Sequence, residues 1–549
     1  MAILNKIDSN STGLSYTEEA SIGVLKAVPV FIPLEPNSYS DFGGELTTLA
    51  RNPINSSRQR KFGVVVDLDA SGGLNTDLTQ TNLQDLLQGF MFASHRAKQE
   101  IKNTAGDDTE IVSIDAGGII TFGTADPSTV GFVANQLVHV TGFPTAANNG
   151  LFYVVAVTAT TMTIGVADGA KAGAATTTAE TASAANFSGA TAGSAGSVVA
   201  VGYEFAAGEV DVTAGAGFPV ITMAAAGHAA LNLIPGEWIH VGGDAAGLRL
   251  TTALDVNSGF MRVRAVDATA DTVSIDKSQF TLATEADATQ TVQVFTGRML
   301  KNELGALITR RTYQLQRTLG KPDDTDPLDQ SEYIVGAVPS EITINMATAD
   351  KVNLDLSFVG TDNEQRTSTT GPKSKDGTLN SVETTLVESD AFNTSSDFTR
   401  IKMAIVDPAD SAPSALFAFA TDVSLTINNN VSPNKAIGCL GAFEVTAGTF
   451  EVGGDITAYF SDIAAVTAVR NNSQITLDMH LVKANAGITI DVPLLSLGDG
   501  RANIEQDEPI TLPLSNQAAT AAKIDSTLDY TLSFTFWDFL PTFADQSFC

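Results

Sequence analysis

Short runs in which apolar and polar residues alternate recur along this chain, and they constrain its fold more than any other feature. Examples are Glu341-Ile342-Thr343-Ile344-Asn345-Met346, Val423-Ser424-Leu425-Thr426-Ile427 and Tyr530-Thr531-Leu532-Ser533-Phe534-Thr535-Phe536. A two-residue period turns one face of a strand toward a core and the other toward solvent or a partner. Helical periodicity is sparse. Between Asn82 and Ala93, Leu83, Leu86, Leu87, Phe90 and Met91 fall on one helical face, and Asp462 to Val469 is a second candidate. The expected fold class is therefore mainly β.

Self-similarity divides the chain further. Ile119-Ile120-Thr121-Phe122 answers to Val220-Ile221-Thr222-Met223, and at the same offset Leu137-Val138-His139-Val140-Thr141-Gly142 answers to Trp238-Ile239-His240-Val241-Gly242-Gly243. Asn149-Gly150 and Ser258-Gly259 then supply turn chemistry ahead of a strand in each copy. The pattern predicts two small homologous β modules, 105–166 and 201–295, around an Ala/Thr/Gly-rich tract, 167–200, whose composition reads as a flexible linker. The flanks also resemble each other. Phe62-Gly63-Val64-Val65-Val66-Asp67-Leu68 matches the spacing of Phe450-Glu451-Val452-Gly453-Gly454-Asp455-Ile456, and Ile342–Met346 parallels Ile510–Leu514. The expectation is a duplicated β domain: 1–104 plus 296–370 as a discontinuous first copy, 371–396 as connector, and 397–549 as the second copy. In that arrangement the modules are outer decorations, replaceable by a short linker.

Charge narrows the function. Thirty-one Lys+Arg against 62 Asp+Glu give a net charge of −31, which disfavours phosphate-clamping nucleic-acid binding but not a surface that DNA must pass without sticking. No apolar run is long enough for a membrane helix, and the opening residues lack the apolar core of a secretory leader, so neither membrane insertion nor classical export is expected. Two cysteines, Cys439 and Cys549, cannot make a disulfide framework.

Neither a catalytic motif nor a cofactor or metal signature stands out. His139 and His240 occupy equivalent repeat positions, but without ligand-spaced Cys or acidic neighbours they read as outward-facing strand residues. Asp67-Leu68-Asp69 and Asp323-Asp324-Thr325-Asp326 lack the Gly and distal Glu of a calcium loop and read as solvated acidic loops. The basic run Arg58-Gln59-Arg60-Lys61 and the pair Arg310-Arg311 stand out in so acidic a chain, and are expected to meet acidic surface on a neighbouring subunit.

The flanks resemble the major tail tube proteins of long-tailed bacteriophages. The resemblance runs over Ile22–Phe92, Tyr333–Pro339, Leu356–Gly360, Asp422–Thr449 with its Ile427-Asn428-Asn429-Asn430, Ile488–Pro493 and Leu532–Phe534. It implies two tandem β-sandwich or barrel domains, each with a flanking helix, the first interrupted by the two modules. It implies a structural, non-enzymatic virion protein, assembled in the host cytoplasm, whose rings stack into a tail tube with an acidic channel for genome delivery. The loops Tyr39–Lys61 and Asn428–Gly448 match the family's ring-stacking arm, which makes Arg58, Arg60 and Lys61 candidate ring contacts. Two copies per chain imply a homotrimeric ring with pseudo-sixfold symmetry. Implied partners are further copies, a tape measure protein and tail terminator or tip proteins, with DNA only in passage. An acidic, modular cell-surface adhesin or surface-layer protein is the alternative, and a carbohydrate-active enzyme a third class.

Overall fold

Hydrogen bonding sorts the strands of the computed structural model into three networks: eighteen strands from the flanks, fifteen from residues 100–296, and a separate two-stranded hairpin, Ser432–Lys435 with Ala442–Thr446. The structure describes the chain except for residues 1–6, 8, 10–11, 55, 57–58, 104–109, 170–176, 178–179, 182–195, 216, 251–255, 287–289, 322–328, 369–381, 385–388, 408–409, 418 and 543–549. Arg58, the Asp323–Asp326 cluster, Cys549 and most of the expected linker and connector lie outside the described residues. The fold is mainly β and consistent with a β-sandwich, without a closed barrel.

Eight strands of the flanks form one continuous antiparallel sheet. They are numbered here in chain order: β1 Pro36–Ala50, β2 Gly63–Asp77, β3 Asp329–Ala347, β4 Asn353–Gly360, β5 Ala420–Asn428, β6 Glu451–Tyr459, β7 Ala486–Asp499 and β8 Thr511–Ala518. Their spatial order is β1-β2-β4-β3-β5-β6-β8-β7. The order 1-2-4-3 is thus followed by 5-6-8-7, with β3 and β5 as the joint. The outer layer has the same regularity. The first half of β3 lies between Tyr313–Gly320 and Asp362–Ser368, and the first half of β7 between Ile475–Lys483 and Ser533–Trp537.

In this order β3 corresponds to β7 and β4 to β8, so Leu354 and Leu356 are the counterparts of Leu512 and Leu514. The sequence match pairs Ile342–Met346 with β8 instead. Alternating strands resemble one another, and only hydrogen-bond partners separate them.

Alternation is seen directly: Leu354, Leu356, Phe358, Ile342, Ile344, Met346, Val423, Leu425 and Ile427 are buried in one core shared by both halves. Helix α1, Gln84–Met91, buries Leu86, Leu87, Phe90 and Met91 in that core, and α2, Ala464–Arg470, buries Ala465 and Ala468. Both helices fall where the sequence periodicity predicts them. Close strand approach explains two glycines. A Cβ on Gly73 would run into the Ser40 carbonyl, and one on Gly454, at φ 147°, into the Ser424 carbonyl.

The two inserted modules repeat a strand order as well. Ile111–Ile114, Ile119–Phe122, Thr161–Val166, Gly150–Val157 and Gln136–Thr141 neighbour one another in that sequence. Val210–Gly215, Gly217–Met223, Thr272–Ser278, Gly259–Asp267 and Trp238–Val241 do the same. The tract between the modules is not wholly a linker. Glu180–Thr181 pairs with Ser113 and Ile114, and residues 197–200 open the strand Ser197–Phe205, which bonds to Gln136–Thr141 and Val292–Thr296 and so joins the modules edge to edge.

Candidate functional site

None of the eight strands of the continuous sheet contains a lysine or an arginine. Its face away from the core carries Asp355, Asp422, Glu451 and Asp455, all exposed, with Asp77 and Glu341 half-buried among Asn, Ser and Thr. Three of these carboxylates, Asp355, Asp77 and Glu341, take hydrogen bonds from neutral amides. Asn75 and Asn345 donate to the two oxygens of Asp355 at 2.8 and 2.9 Å, Asn37 donates to Asp77 at 2.6 Å, and Asn428 to Glu341 at 2.5 Å. Thr343 and Thr426 bridge the β3–β5 joint through their hydroxyls at 3.0 Å. An amide orders a carboxylate without cancelling its charge, so the face stays negative and offers phosphate no cation. Lys351, in the turn before β4, is the cation that reaches this face, on Asp77 at 2.6 Å.

Two hairpins extend from the sheet. The distal part of β1–β2 bonds only to itself and exposes Leu46, Leu49, Ile54, Phe62, Val64, Val65 and Val66. Arg60 and Lys61 lie exposed at its tip, without an ion pair among the described residues. The second hairpin, Ser432–Lys435 with Ala442–Thr446, exposes Ile437, Leu440 and Phe443 and is pinned by Lys435, whose Nζ sits 2.6 Å from both Asp67 and Asp69. Asp67-Leu68-Asp69 is therefore not a solvated loop but part of β2, and Lys435 holds the Asp67 carboxyl below its ordinary range. Arg311 also departs from expectation. It turns inward, onto Glu18 of its own chain and onto Ser94 at 2.8 Å, rather than outward to a neighbour.

Behind the sheet, the second module is bound to the flanks by buried charge. Arg262 of the module pairs with its own Asp276 at 3.0 Å and with Asp491 of β7 at 2.9 Å, and the Tyr530 hydroxyl donates to Asp491 at 2.9 Å. Lys277 and Arg400 close on Asp478 at 3.3 and 2.7 Å. Burial alone would raise the Asp478 carboxyl, but Arg400 and Lys277 hold it well below the usual carboxylate range. Arg96 and Lys98 converge on Glu237 at 2.7 and 2.9 Å.

Removing this module would take Lys277 from Asp478 and Arg262 from Asp491, a cost that an outer decoration replaceable by a short linker would not carry. The first module meets the flanks differently. Leu137 and Tyr153 join an apolar cluster with Val482, Trp537 and Leu540.

The repeat histidines are also revised. His240 is buried against Phe260, ring centroids 4.9 Å apart, and His139 rests half-buried on Phe539 at 5.2 Å, because the C-terminal segment covers the outer face of these strands. His480, stacked on Phe260 at 4.2 Å, completes the cluster. Burial lowers His480 to about 4 and His240 to about 3.

The ionic joint escaped sequence reading, although a trace of it is visible. Asp478 and Asp491 stand in the mostly uncharged runs Ile475–Val482 and Ile488–Val492, every residue of which is buried, and a strand covered on both faces admits a charge only with a partner.

The sequence model of a family described as phage tail tube protein matches residues 204–518, a stretch that takes in all but the first three residues of the second module and all of β3 to β8. No curated protein matches the chain.

Proposed function

The chain belongs to the phage tail tube protein family, and from that membership we propose that it closes into stacked rings whose inner wall is the acidic open face of the eight-stranded sheet. It is a structural protein of the virion tail. The observation that carries the finer reading is the sheet itself, negative on its open face and, among the described residues, without a strand partner beyond β1 and beyond the second half of β7. Unpaired edges are an aggregation hazard in a monomer and a joining surface under rotational symmetry.

The repeated order 1-2-4-3, 5-6-8-7 supports a duplicated domain, with 1–104 plus 296–370 as one copy and 397–549 as the other. Three chains then make a ring of pseudo-sixfold symmetry with twenty-four strands. At about 4.8 Å between neighbours these close on a circumference of about 115 Å, or a backbone diameter of at least about 37 Å, a passage for duplex DNA. A structural rather than catalytic role belongs to this reading, and the channel serves genome delivery.

Electron microscopy of the concentrated protein tests it. Tubes or rings with three outer projections in views down the axis are expected. Six equal projections, or six chains per ring, would defeat the duplication, and two-dimensional sheets would favour a surface-layer protein instead.

Two further results are expected. Replacing Asp422 and Asp455 by lysine should leave assembly intact but make the tubes retain DNA, with retention falling steeply as salt rises. DNA retention by the wild-type tubes as strong as by the variant would remove the case for a non-adhesive lumen. Replacing Arg58, Arg60 and Lys61 by glutamine should lower the salt concentration at which stacked rings separate, measured by sedimentation. Unchanged separation would take those residues out of the ring contact.

A further inference from the structure

We propose that residues 3–6 of one chain cross the open end of the second half of a neighbouring chain, where Leu4 fills a gap in the core between Phe460 and Ile510. This rests on the ring reading above and names the segment that fills one unfinished site.

Within one chain the same site is already filled once. Phe392 enters the end of the first half, where β2 runs on toward α1 and β4 begins. Its N–H donates to the Leu78 carbonyl and its carbonyl accepts from the Val352 N–H, both at 2.9 Å. The bridges Thr79–Ala391 and Lys351–Asn393 flank it on either side. The Phe392 side chain is buried in the core that also holds Leu78, Leu83 and Val352, which are 3, 1 and 0 % exposed.

The second half has the socket without the plug. Tyr459 stands opposite Thr511 as Asp77 stands opposite Asn353, so Phe460 and Ile510 are the counterparts of Leu78 and Val352. Ile463, which caps the start of α2, is the counterpart of Leu83, which caps the start of α1. The bond across the rim is repeated too: the Phe460 N–H donates to the Ile510 carbonyl at 3.0 Å, as Leu78 does to Val352 at 2.9 Å. Yet Ile510 is 37 % and Ile463 71 % exposed, and Phe419 and Tyr459 beside them are exposed as well. Among the described residues the Ile510 N–H and the Phe460 carbonyl have no partner, and these are the two groups that Phe392 satisfies in the first half. An apolar rim with one open donor and one open acceptor accepts a single residue of an extended segment, backbone and side chain together.

Position in the chain selects the occupant. Phe392 lies just ahead of Phe398–Ile405, the outer strand that opens the second half, and it plugs the half before its own. The outer strand that opens the first half, Gly13–Ser21, adds to Tyr313–Gly320 as Phe398–Ile405 adds to Ile475–Lys483. Ahead of Gly13–Ser21 stands Leu4-Asn5, the same apolar–Asn pair as Phe392-Asn393. Under rotational symmetry the half before the first half is the second half of a neighbouring chain, so this plug crosses between chains. Carrying the internal bridges across places Ile3 beside Ser461 and Asn5 beside Pro509.

Cross-linking of the full chain tests the plug. In a Cys439→Ser, Cys549→Ser background, Ile3→Cys with Ser461→Cys should oxidise to covalent dimers and trimers once rings form, whereas Thr12→Cys with Ser461→Cys should not. Leu4→Asp should cut ring formation about tenfold, read by sedimentation, and Leu4→Phe should preserve it. The unfolding midpoint of the unassembled chain should be the same in both variants as in the wild type. Rings that tolerate Leu4→Asp, or that give no Ile3–Ser461 cross-link, overturn the plug and leave the ring reading standing. A cross-link confined to single chains overturns it as well, because the chain's own segment then fills the site. A wild-type chain that forms no rings overturns both.

Discussion

Replacing Arg262 by methionine is expected to lower the stability of the isolated chain by about 3–5 kcal/mol, the usual cost of leaving one member of a buried ion pair without its partner. Arg262 bridges Asp276 and Asp491, and all three side chains are buried. Without the guanidinium, Asp491 keeps the Tyr530 hydroxyl but has no counter-charge. Denaturant unfolding, with the midpoint compared at constant slope, measures the loss. A further Asp491→Leu change should recover much of it, because an apolar pair of similar volume replaces an ion pair at little cost. A loss below about 1 kcal/mol, in the range of exposed pairs, would mean that the joint is wet and weak. The same reasoning predicts that excising 105–295 leaves no soluble chain.

Acid should loosen the same joint. His480 and His240 titrate in the folded chain at about 4 and about 3, below the ordinary histidine value of 6.5, because burial among Trp238, Phe260 and Phe295 disfavours the imidazolium. Between pH 6.5 and the folded values, the unfolded chain binds protons that the folded chain refuses. Stability is therefore full above about pH 6.5 and declines as pH falls toward 4. His480 alone contributes a loss of about 3 kcal/mol. The neighbouring Asp478, held low by Arg400 and Lys277, keeps its charge in the folded chain and steepens the decline only below about pH 5, where the unfolded carboxyl begins to take up protons. Thermal unfolding from pH 7.5 to 4 should show the decline, and a His240→Asn, His480→Gln variant should flatten it. An equally steep decline in that variant would assign the acid sensitivity to other groups.

Much of this protein is legible in its sequence, for a local reason. Alternation of period two and an apolar stripe of period 3.6 are properties of neighbouring residues, so the strands around Ile342, Leu425 and Phe534 and the helices at Phe90 and Ala465 follow from side-chain pattern alone. The same holds for the acidic balance, the repeated modules and the resemblance to the tail tube family, since each is written in residue order.

What the pattern could not carry is partnership. Any alternating strand can pair with any other, so the equivalence of β4 with β8, the β3–β5 joint and the two free edges emerge only from the hydrogen-bonded order. The buried charges are the sharper case. Arg262 and Asp491 are 229 residues apart in the chain, and each alone reads as a polar residue on a strand. Their meaning lies in a desolvated contact, and desolvation depends on everything packed around them, which only the tertiary structure decides.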